Sequence, residues 1–266
     1  GSEMCIRDRH KNWRSFLVAM DKFNEHLSAK GIVFACSMYN IQHTVTPVNG
    51  KLQVKLECER PDVEIRYTMD GKEPTDRSPL YKNPLMVTGT QTIKCTTYRA
   101  GRQMGKTLTL PLVWNKATAK PVLGNTQAGK ILVNGIRGSL RQSDFEWHSW
   151  ESSDSVAFTI DLQKKESLRS VSVGCITNYG MAAHKPADIE VWVSNDNRDY
   201  RKVSGKQFTD GEIFREGTFK EDVVLDLNKE IGRYVRIIAK GAGECPATHV
   251  RPGQEARIYF DEVMIE

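Results

Sequence analysis

The sequence predicts a mostly β protein in which two β-sandwich domains follow a short N-terminal helix. Apolar residues recur every three or four positions only near the start, and this spacing predicts the helix. From about residue 42 onward, short stretches alternate between apolar and polar residues, as strands do. Turn-forming Gly, Asn and Asp residues separate these stretches. A length of 266 residues is sufficient for two such domains.

The composition is that of an ordinary folded protein and argues against several functional classes. The chain is 39% hydrophobic and 27% charged, with a formal net charge of +5. Its basic residues are dispersed, so no stripe that would neutralise nucleic-acid phosphates is predicted. No apolar run reaches the roughly 18 residues that a membrane-spanning helix needs. We therefore expect no nucleic-acid partner and no membrane insertion.

The first segment divides into an extraneous start and a helix. Residues 1–11 are polar and lack the apolar core of a signal peptide, so we interpret them as a tag or cloning artefact. Residues 12–41 hold the helix and a connector, with Asn12 as a suitable N-cap and Gly31 as a suitable C-terminal cap. One helix cannot bury its apolar stripe alone, so we expect it to pack on a domain or another chain. The stripe consists of Trp13, Phe16, Leu17, Met20, Phe23 and Leu27.

Residues 42–116 form the first predicted sandwich. The stretch 52–58 alternates with its apolar residues on one face, and 92–101 and 106–114 read as further strands. Asp70-Gly71 is a strong hairpin signal after the stretch 63–69. Several short strands over this length are typical of a small sandwich.

Residues 117–266 form the second predicted sandwich, and the linker falls within 115–121. Many short strands joined by Gly-, Asn- and Asp-rich loops fit a jelly roll. The predicted strands include 156–162, 168–176, 187–196, 219–227, 232–240 and 256–266.

The six cysteines predict neither a disulfide framework nor a structural zinc site. They lie far apart, and no Cys/His pair has the spacing of common zinc motifs. Cys58 and Cys95 lie on apolar phases of predicted strands and could form a bridge, although two free thiols that act as small hydrophobes are favoured.

The motifs IRYTMDGKEPT (65–75), SPLY (78–81) and TIKCTTYRAG (92–101) resemble the small C-terminal β-sandwich of chitobiase-type β-hexosaminidases. The resemblance implies an immunoglobulin- or fibronectin-III-like sandwich. Asp70-Gly71 then belongs to a turn and Tyr67 to the core, rather than to a functional site.

The motifs LVNGIRGS (132–139), WHSWESSD (147–154), IEVWVSNDNRDYRKV (189–203) and FDEVMIE (260–266) resemble a discoidin, or factor 5/8 type C, domain. That fold also carries the family 32 carbohydrate-binding modules. The order is similar to the module appended to β-N-acetylhexosaminidases of glycoside hydrolase family 20. Residues 12–41 resemble the end of that family's catalytic barrel.

The resemblance implies a non-catalytic C-terminal portion of such an enzyme. The family's catalytic Asp-Glu pair lies in the barrel, and Asp261-Glu262 does not match it because it falls in the closing strand. We therefore expect no enzymatic activity and a partner glycan with terminal galactose or N-acetylhexosamine. We also expect a secreted, periplasmic or cell-surface location. Self-association could follow through the surface that the missing barrel leaves.

The resemblance also implies a sugar site built from three loops. A sugar ring offers an apolar face and a rim of hydroxyls, which suits an aromatic platform with a few fixed polar groups. The late loop has no aromatic residue between Gly241 and Ala256, which departs from the binding pattern. The candidates are His148, Trp147 and Trp150 in the first loop, Asn178, Tyr179 and His184 in the second, and His249 and Arg251 in the third.

Alternatives for these residues stay open. Packing is favoured for both tryptophans because an indole buries a large area. His148 is either a ligand contact or an exposed loop residue. His148, His184 and His249 could also meet at a metal, although no carboxylate-His motif supports such a site.

A structural calcium is the one cofactor that the resemblance implies. Asn134, Ser139 and Glu262 match the positions of the ligands, although Asn134 stands where Asp is more usual. The alternative is that Glu262 pairs with an arginine such as Arg137. For the whole chain, the alternative to sugar binding is a purely structural role, in which both sandwiches pack on the missing barrel.

Overall fold

The computed structural model describes residues 12–32, 37–125, 127–150 and 155–266. The interpretation of residues 1–11, and the end of WHSWESSD at 151–154, lie outside these ranges. Within them, no helix is long and apolar enough to cross a membrane. The described residues divide into two compact units, a smaller one within 12–43, 56–84 and 92–110, and a larger one within 44–55, 85–91 and 111–266.

The predicted fold class is confirmed, since the chain is mostly β with few helices. The predicted domain limits at 42–116 and 117–266 differ from the two compact units and stay a prediction. The helices are α1 (Trp13–Ala29), α2 (Ala128–Ile131) and α3 (Asp210–Ile213), with single 3-10 turns at Ser37–Tyr39 and Tyr179–Met181. The strands are β1 (Gln42–Val48), β2 (Lys51–Glu57), β3 (Glu64–Thr68), β4 (Leu85–Val87), β5 (Gln91–Arg99), β6 (Arg102–Gln103), β7 (Leu108–Leu112), β8 (Val122–Leu123), β9 (His148–Trp150), β10 (Val156–Asn178), β11 (Asp188–Ser194), β12 (Arg201–Gln207), β13 (Thr218–Lys240) and β14 (Ile258–Ile265).

Helix α1 begins and ends where its caps predict. The Asn12 side chain accepts a hydrogen bond from the Ser15 N–H at 3.2 Å. At the other end Gly31 has a φ of +72°, which lets the Ile32 N–H reach the Leu27 carbonyl at 3.0 Å. The apolar stripe is only partly covered. Leu17 is buried, whereas three of its aromatic residues, Trp13, Phe16 and Phe23, are exposed.

An ion-pair network holds α1 inside the smaller unit. The Asp21 carboxylate lies 3.1 Å from an Arg60 Nη2 and 2.6 Å from an Arg99 Nη1, and it accepts a hydrogen bond from the Tyr39 hydroxyl. Both arginines also pair with Asp62. Burial raises the pKa of Asp21, but hydrogen bonds from Arg99 and Tyr39 and the charges of both arginines outweigh burial and lower it.

Two small sheets form within residues 42–112. One joins β1, β2 and β4, and the other joins β3, β5 and β6, with β7 also on β5. Asp70-Gly71 does not close a two-residue hairpin, because the chain returns antiparallel to β3 only at Leu80, which bridges Arg66. The longer ladder of β3 is with β5, as in Thr68 opposite Lys94. Asp70 still forms a local turn, because its carboxylate accepts the Lys72 N–H and Gly71 adopts a φ of +77°.

The second sandwich is one seven-stranded sheet folded on itself. Its strand order is β12-β11-β13-β10-β14-β9, with β8 added on β10. The predicted strands 156–162 and 168–176 are one long strand, β10, and 219–227 and 232–240 are likewise one strand, β13. The β10–β13 register shifts between Asp161 and Glu166, and this irregularity lies midway along β10.

The bend at this shift turns both halves of the sheet toward one core. Phe158 and Ile160 come from the first half of β10, and Val171 and Val173 come from the second half. All four are buried in the same apolar cluster. Residues 183–187 contact both ends of β10, because Ala183 bridges Asn178 and the Ala187 N–H donates to the Lys240 carbonyl, next to the pair of Val156 and Ala239. Both ends of β10 therefore lie at one end of the sandwich.

The described cysteines are free thiols. Cys58 and Cys95 form no disulfide, in agreement with the favoured interpretation of two free thiols. Cys175 and Cys245 are also free. Burial raises the pKa of Cys95 to about 12, so this thiol stays protonated at neutral pH and packs as a small apolar group.

We expect Asp21→Ala to destabilise the smaller unit by about 1.5–3 kcal/mol, because it removes one of the two carboxylates that pair with the buried Arg60 and with Arg99. The lowered pKa of Asp21 gives the sign of the pH effect. The contribution of Asp21 to the free energy of unfolding is present above the ordinary pKa of an aspartate. It is lost as the pH falls through the lower pKa that Asp21 has in the folded protein. Urea unfolding and amide hydrogen exchange of residues 13–29 measure both effects.

The exposed Asp76→Ala is the matched control and should leave both readouts unchanged. Equal exchange of helix α1 in Asp21→Ala and Asp76→Ala would show that the network does not hold the helix.

Candidate functional site

One end of the second sandwich gathers most of the candidate residues. It is termed the loop end, and it comprises the strand β9 with residues 137–147, 178–187, 209–218 and 241–257. The bridges of Ala183 to Asn178 and to Arg257 join two of these loops. The candidate residues of the second and third loops therefore lie side by side.

The two tryptophans of the first loop pack inside the domain. Trp147 is 6% exposed, its indole N–H donates to the Ser139 carbonyl at 3.0 Å, and its ring fills the space beside Gly138. Trp150 lies parallel to Phe158 and edge-on to Phe260, with ring centroids 6.1 and 5.3 Å away. This geometry favours the packing interpretation for both and leaves little of the Trp147 ring for a sugar.

His148 lies apart from the other candidate histidines. It is half-buried at the start of β9, where its ring meets Trp150 edge-on with centroids 4.5 Å apart. Its Nε2 is 3.4 Å from the Asn125 side-chain nitrogen, which makes Nε2 the acceptor. Burial lowers the pKa of His148, so the ring is neutral at neutral pH.

The second and third loops meet directly. The Tyr179 ring lies against His249 with centroids 3.9 Å apart. The Arg251 Nε donates to the Gly180 carbonyl at 2.5 Å, and the Tyr179 hydroxyl donates to the Thr248 carbonyl at 3.4 Å. Arg251 is exposed and Tyr179 is half-buried, so both reach the surface. The half-buried Asn178 directly precedes Tyr179 at the end of β10.

His184 and His249 lie beneath this surface. They are 1% and 4% exposed, and their Nε2 atoms are 3.2 Å apart. The other nitrogen of His184 is 3.0 Å from the Ile213 carbonyl. Burial lowers the pKa of His184 to about 4 and also lowers that of His249, so both rings are neutral. Their nitrogens are occupied inside the domain, and the geometry argues against direct contact with a sugar.

Two features of the loop end were missed by the sequence analysis. Cys245 lies with His184 and His249, and the three offer ligand atoms within 4.8 Å of one another. Its only sequence signal is the short spacing in CPATH (245–249). Phe145, two residues before Trp147, is 93% exposed.

The predicted calcium ligands are only partly suited to a cation. Glu262 is fully buried, and its Oε2 accepts the Gly135 N–H at 3.1 Å. Its Oε1 has no hydrogen-bond partner among the described residues. By contrast, the Asn134 oxygen accepts the Ile136 N–H, and the exposed Ser139 hydroxyl accepts the Arg141 N–H. Ca²⁺ takes about six to eight oxygens, so Asn134 and Ser139 would have to give up these hydrogen bonds to join Glu262 as ligands.

The alternative pairing of Glu262 with Arg137 is wrong. Arg137 instead forms ion pairs with Asp222 and with Asp261, whose carboxylate is 2.9 Å from its Nε. Asp261 also accepts the Gly138 N–H at 2.9 Å. Burial, together with the negative charge of the adjacent Asp261, raises the pKa of Glu262 well above its ordinary value.

Solved structures offer only partial likenesses. CpGH89CBM32-6 from Clostridium perfringens has 17% identity and a TM-score of 0.33, covering 55% of this chain and 90% of that one. CpGH89CBM32-5, from the same organism and in complex with GalNAc-β-1,3-galactose, has 14% identity and a TM-score of 0.35, covering 54% and 86%. The C-terminal domain of a chitobiase from Bacteroides fragilis has 12% identity and a TM-score of 0.31, covering 49% and 76%. Among curated protein sequences, none matches this chain.

Family models account for both sandwiches. Residues 46–109 match the chitobiase/beta-hexosaminidase C-terminal domain, which confirms the resemblance of the first sandwich. Residues 116–251, a little over half of the chain, match the F5/8 type C domain. The chain therefore belongs to the F5/8 type C domain family.

Proposed function

We propose that this chain is the non-catalytic, carbohydrate-binding portion of a secreted, periplasmic or cell-surface β-N-acetylhexosaminidase. Its loop end binds glycans with terminal galactose or N-acetylhexosamine. The supporting observation is that Tyr179 and Arg251 reach the surface side by side on two joined loops. The two family matches provide the context for this site.

The surface around Arg251 has the chemistry that a sugar needs. The guanidinium donates to the Gly180 carbonyl, to the Gln254 side chain at 3.2 Å and to the Met181 sulfur at 3.5 Å. These bonds fix its plane and still leave N–H groups for sugar hydroxyls. Met181 and Val250 add apolar surface, being 48% and 65% exposed. A shallow site of this kind binds in the micromolar to millimolar range, that is, at about 10⁻⁶–10⁻³ M.

The Asp-Glu doublet of this chain cannot perform the parent enzyme's chemistry. Asp261 and Glu262 are 0% and 1% exposed, and Asp261 is bonded to Arg137 and Gly138. Neither carboxylate reaches a substrate. This placement supports an accessory role for the chain.

A structural role is the second candidate function, and helix α1 favours it. Trp13 and Phe23 are 57% and 55% exposed, and Trp13 stacks on Phe16 with centroids 5.3 Å apart. Exposed aromatic residues on a single helix are typical of a surface that packs on a partner. The barrel of the parent enzyme or a second copy of this chain would supply that partner.

We expect Arg251→Ala and Tyr179→Ala each to weaken binding of N-acetylgalactosamine or galactose at least tenfold, which is about 1.4 kcal/mol. Each change removes a side chain that faces the sugar. Isothermal titration with galactose, N-acetylgalactosamine and N-acetylglucosamine measures the effect, and circular dichroism confirms that each variant folds.

Arg198→Ala is the matched control, because Arg198 is an exposed arginine in the β11–β12 hairpin. His148→Ala tests the first loop separately, and we expect it to retain binding. Flat titrations of the unaltered protein with all three sugars would contradict sugar binding. Loss of binding in His148→Ala alone would move the site to the first loop.

The structural role predicts self-association through α1. We expect sedimentation equilibrium to show a concentration-dependent dimer that the double variant Trp13→Gln, Phe23→Gln abolishes. Val224→Gln removes a comparable exposed apolar side chain from β13 and serves as the control. A clean monomer at all concentrations would count against a large uncovered interface.

We propose that calcium binds at Glu262, with the unpaired Oε1 as support. A chelator should then lower the unfolding midpoint of the unaltered protein and have no effect on Glu262→Gln. Without calcium, the raised pKa means that ionisation of Glu262 costs stability as the pH rises above its ordinary pKa. Metal-free Glu262→Gln should therefore unfold about 2 °C or more above the unaltered metal-free protein at pH 7.

The control is Glu216→Gln at an exposed site. A midpoint of the unaltered protein that chelator leaves unchanged would rule out the calcium site.

A further inference from the structure

A cluster of two imidazoles and one thiol lies inside the loop end. His184, Cys245 and His249 are each less than 5% exposed, and their ligand atoms lie within 4.8 Å of one another. We propose that these three residues bind one thiophilic d¹⁰ metal ion, either Zn²⁺ or Cu⁺. The proposal does not rest on sugar binding at the surface above this cluster or on calcium at Glu262.

The spacing of the nitrogens suits one shared ion. Metal–nitrogen bonds of about 2.0–2.1 Å and metal–sulfur bonds of about 2.3 Å separate neighbouring ligands of one ion by roughly 3.3–3.8 Å. The Nε2 atoms of His184 and His249 are 3.2 Å apart, close to the lower end of this range. The Cys245 sulfur lies within 4.8 Å of the ligand nitrogens of both histidines. Small side-chain movements would therefore bring all three atoms to bonding distance of one ion.

His184 is already oriented as a ligand. Its Nδ1 is 3.0 Å from the Ile213 carbonyl, which can only accept, so Nδ1 carries the hydrogen. Its Nε2 then carries an electron pair that faces His249 and accepts a hydrogen bond from it in the metal-free protein. A backbone carbonyl behind the imidazole is the usual arrangement for a metal-ligating histidine, because it fixes both tautomer and ring plane.

His249 must change tautomer to bind the ion. Its Nδ1 accepts the Arg251 backbone N–H at 3.0 Å, so in the metal-free protein its hydrogen lies on Nε2 and points at His184. When the metal binds, Nε2 loses that hydrogen, Nδ1 gains one, and the Arg251 N–H must turn away. Cys245 releases its thiol proton to solvent, so one proton leaves for each ion bound.

The surroundings select a soft ion. Ala182 and Ala256 are buried against Cys245, with Phe214 and Ala242 packed beside them. A thiolate and two imidazoles in such an apolar shell suit Zn²⁺ or Cu⁺ and not Ca²⁺ or Mg²⁺. Cu⁺ with one thiolate is neutral and accepts three ligands, whereas Zn²⁺ needs a fourth and leaves a net positive charge.

The test begins with reduced, metal-free protein titrated with Co²⁺, a spectroscopic substitute for Zn²⁺. We expect one equivalent to give a sulfur-to-cobalt absorption band that Zn²⁺ removes. A separate titration of Cu⁺ against a coloured chelator distinguishes the two ions. Cys245→Ser should abolish the band and weaken binding at least 100-fold. Cys58→Ser is the matched control, since Cys58 is a half-buried free thiol elsewhere in the chain, and it should bind normally.

The imidazole nitrogens provide a readout that needs no variant. In metal-free protein, ¹⁵N spectra should show His249 protonated on Nε2, and the metal that binds more tightly should move that hydrogen to Nδ1. An unaltered protein that gives no cobalt–thiolate band, binds no Cu⁺ and keeps the His249 tautomer would overturn the proposal. Equal metal binding by a folded Cys245→Ser variant would overturn it as well.

Discussion

The second sandwich depends on one constraint, which is that β10 and β13 stay paired while both bend. Their antiparallel register runs from Val156 opposite Ala239 to Asn178 opposite Thr218, interrupted only by irregularities near the middle. Because the pairing survives the bend, a single strand pair contributes to both layers around one core. The same bend brings the ends of β10 to one end of the domain. The loop end, with all candidate sugar-binding residues of this domain, is therefore a consequence of strand pairing.

Within the loop end, burial separates two kinds of chemistry. Tyr179 and Arg251 reach solvent, where an aromatic ring and a fixed guanidinium can meet a polar ligand. His184 and His249 lie directly beneath them, and these two neutral rings are hydrogen-bonded to each other. The Arg251 segment belongs to both layers, since its side chain faces the surface and its backbone N–H contacts His249. A change in the buried layer would thus reach the surface through Arg251 and through Tyr179, whose ring lies against His249.

Local signals in the sequence predict local structure well here. Asn12 and Gly31 mark the helix ends because capping depends only on neighbouring residues. Alternation likewise predicts the strands, but it could not show that 156–162 and 168–176 are one strand, because the polar bend between them reads as a loop. Trp147 packs as its size predicts. The grouping of Cys245 with His184 was beyond reach, since only tertiary structure brings these distant positions together.

The β10–β13 pairing also constrains how this domain folds. Its nearest paired residues, Asn178 and Thr218, enclose the whole of β11, β12 and α3. Closing that long loop costs chain entropy before any ladder bond compensates for it, and the pairs toward Val156 and Ala239 enclose still more chain. A topology built on such distant partners folds slowly, in the range of milliseconds to seconds that is typical of sandwiches. During that time the apolar faces of both strands are exposed, so the period before the bend forms is when this chain is most prone to aggregate.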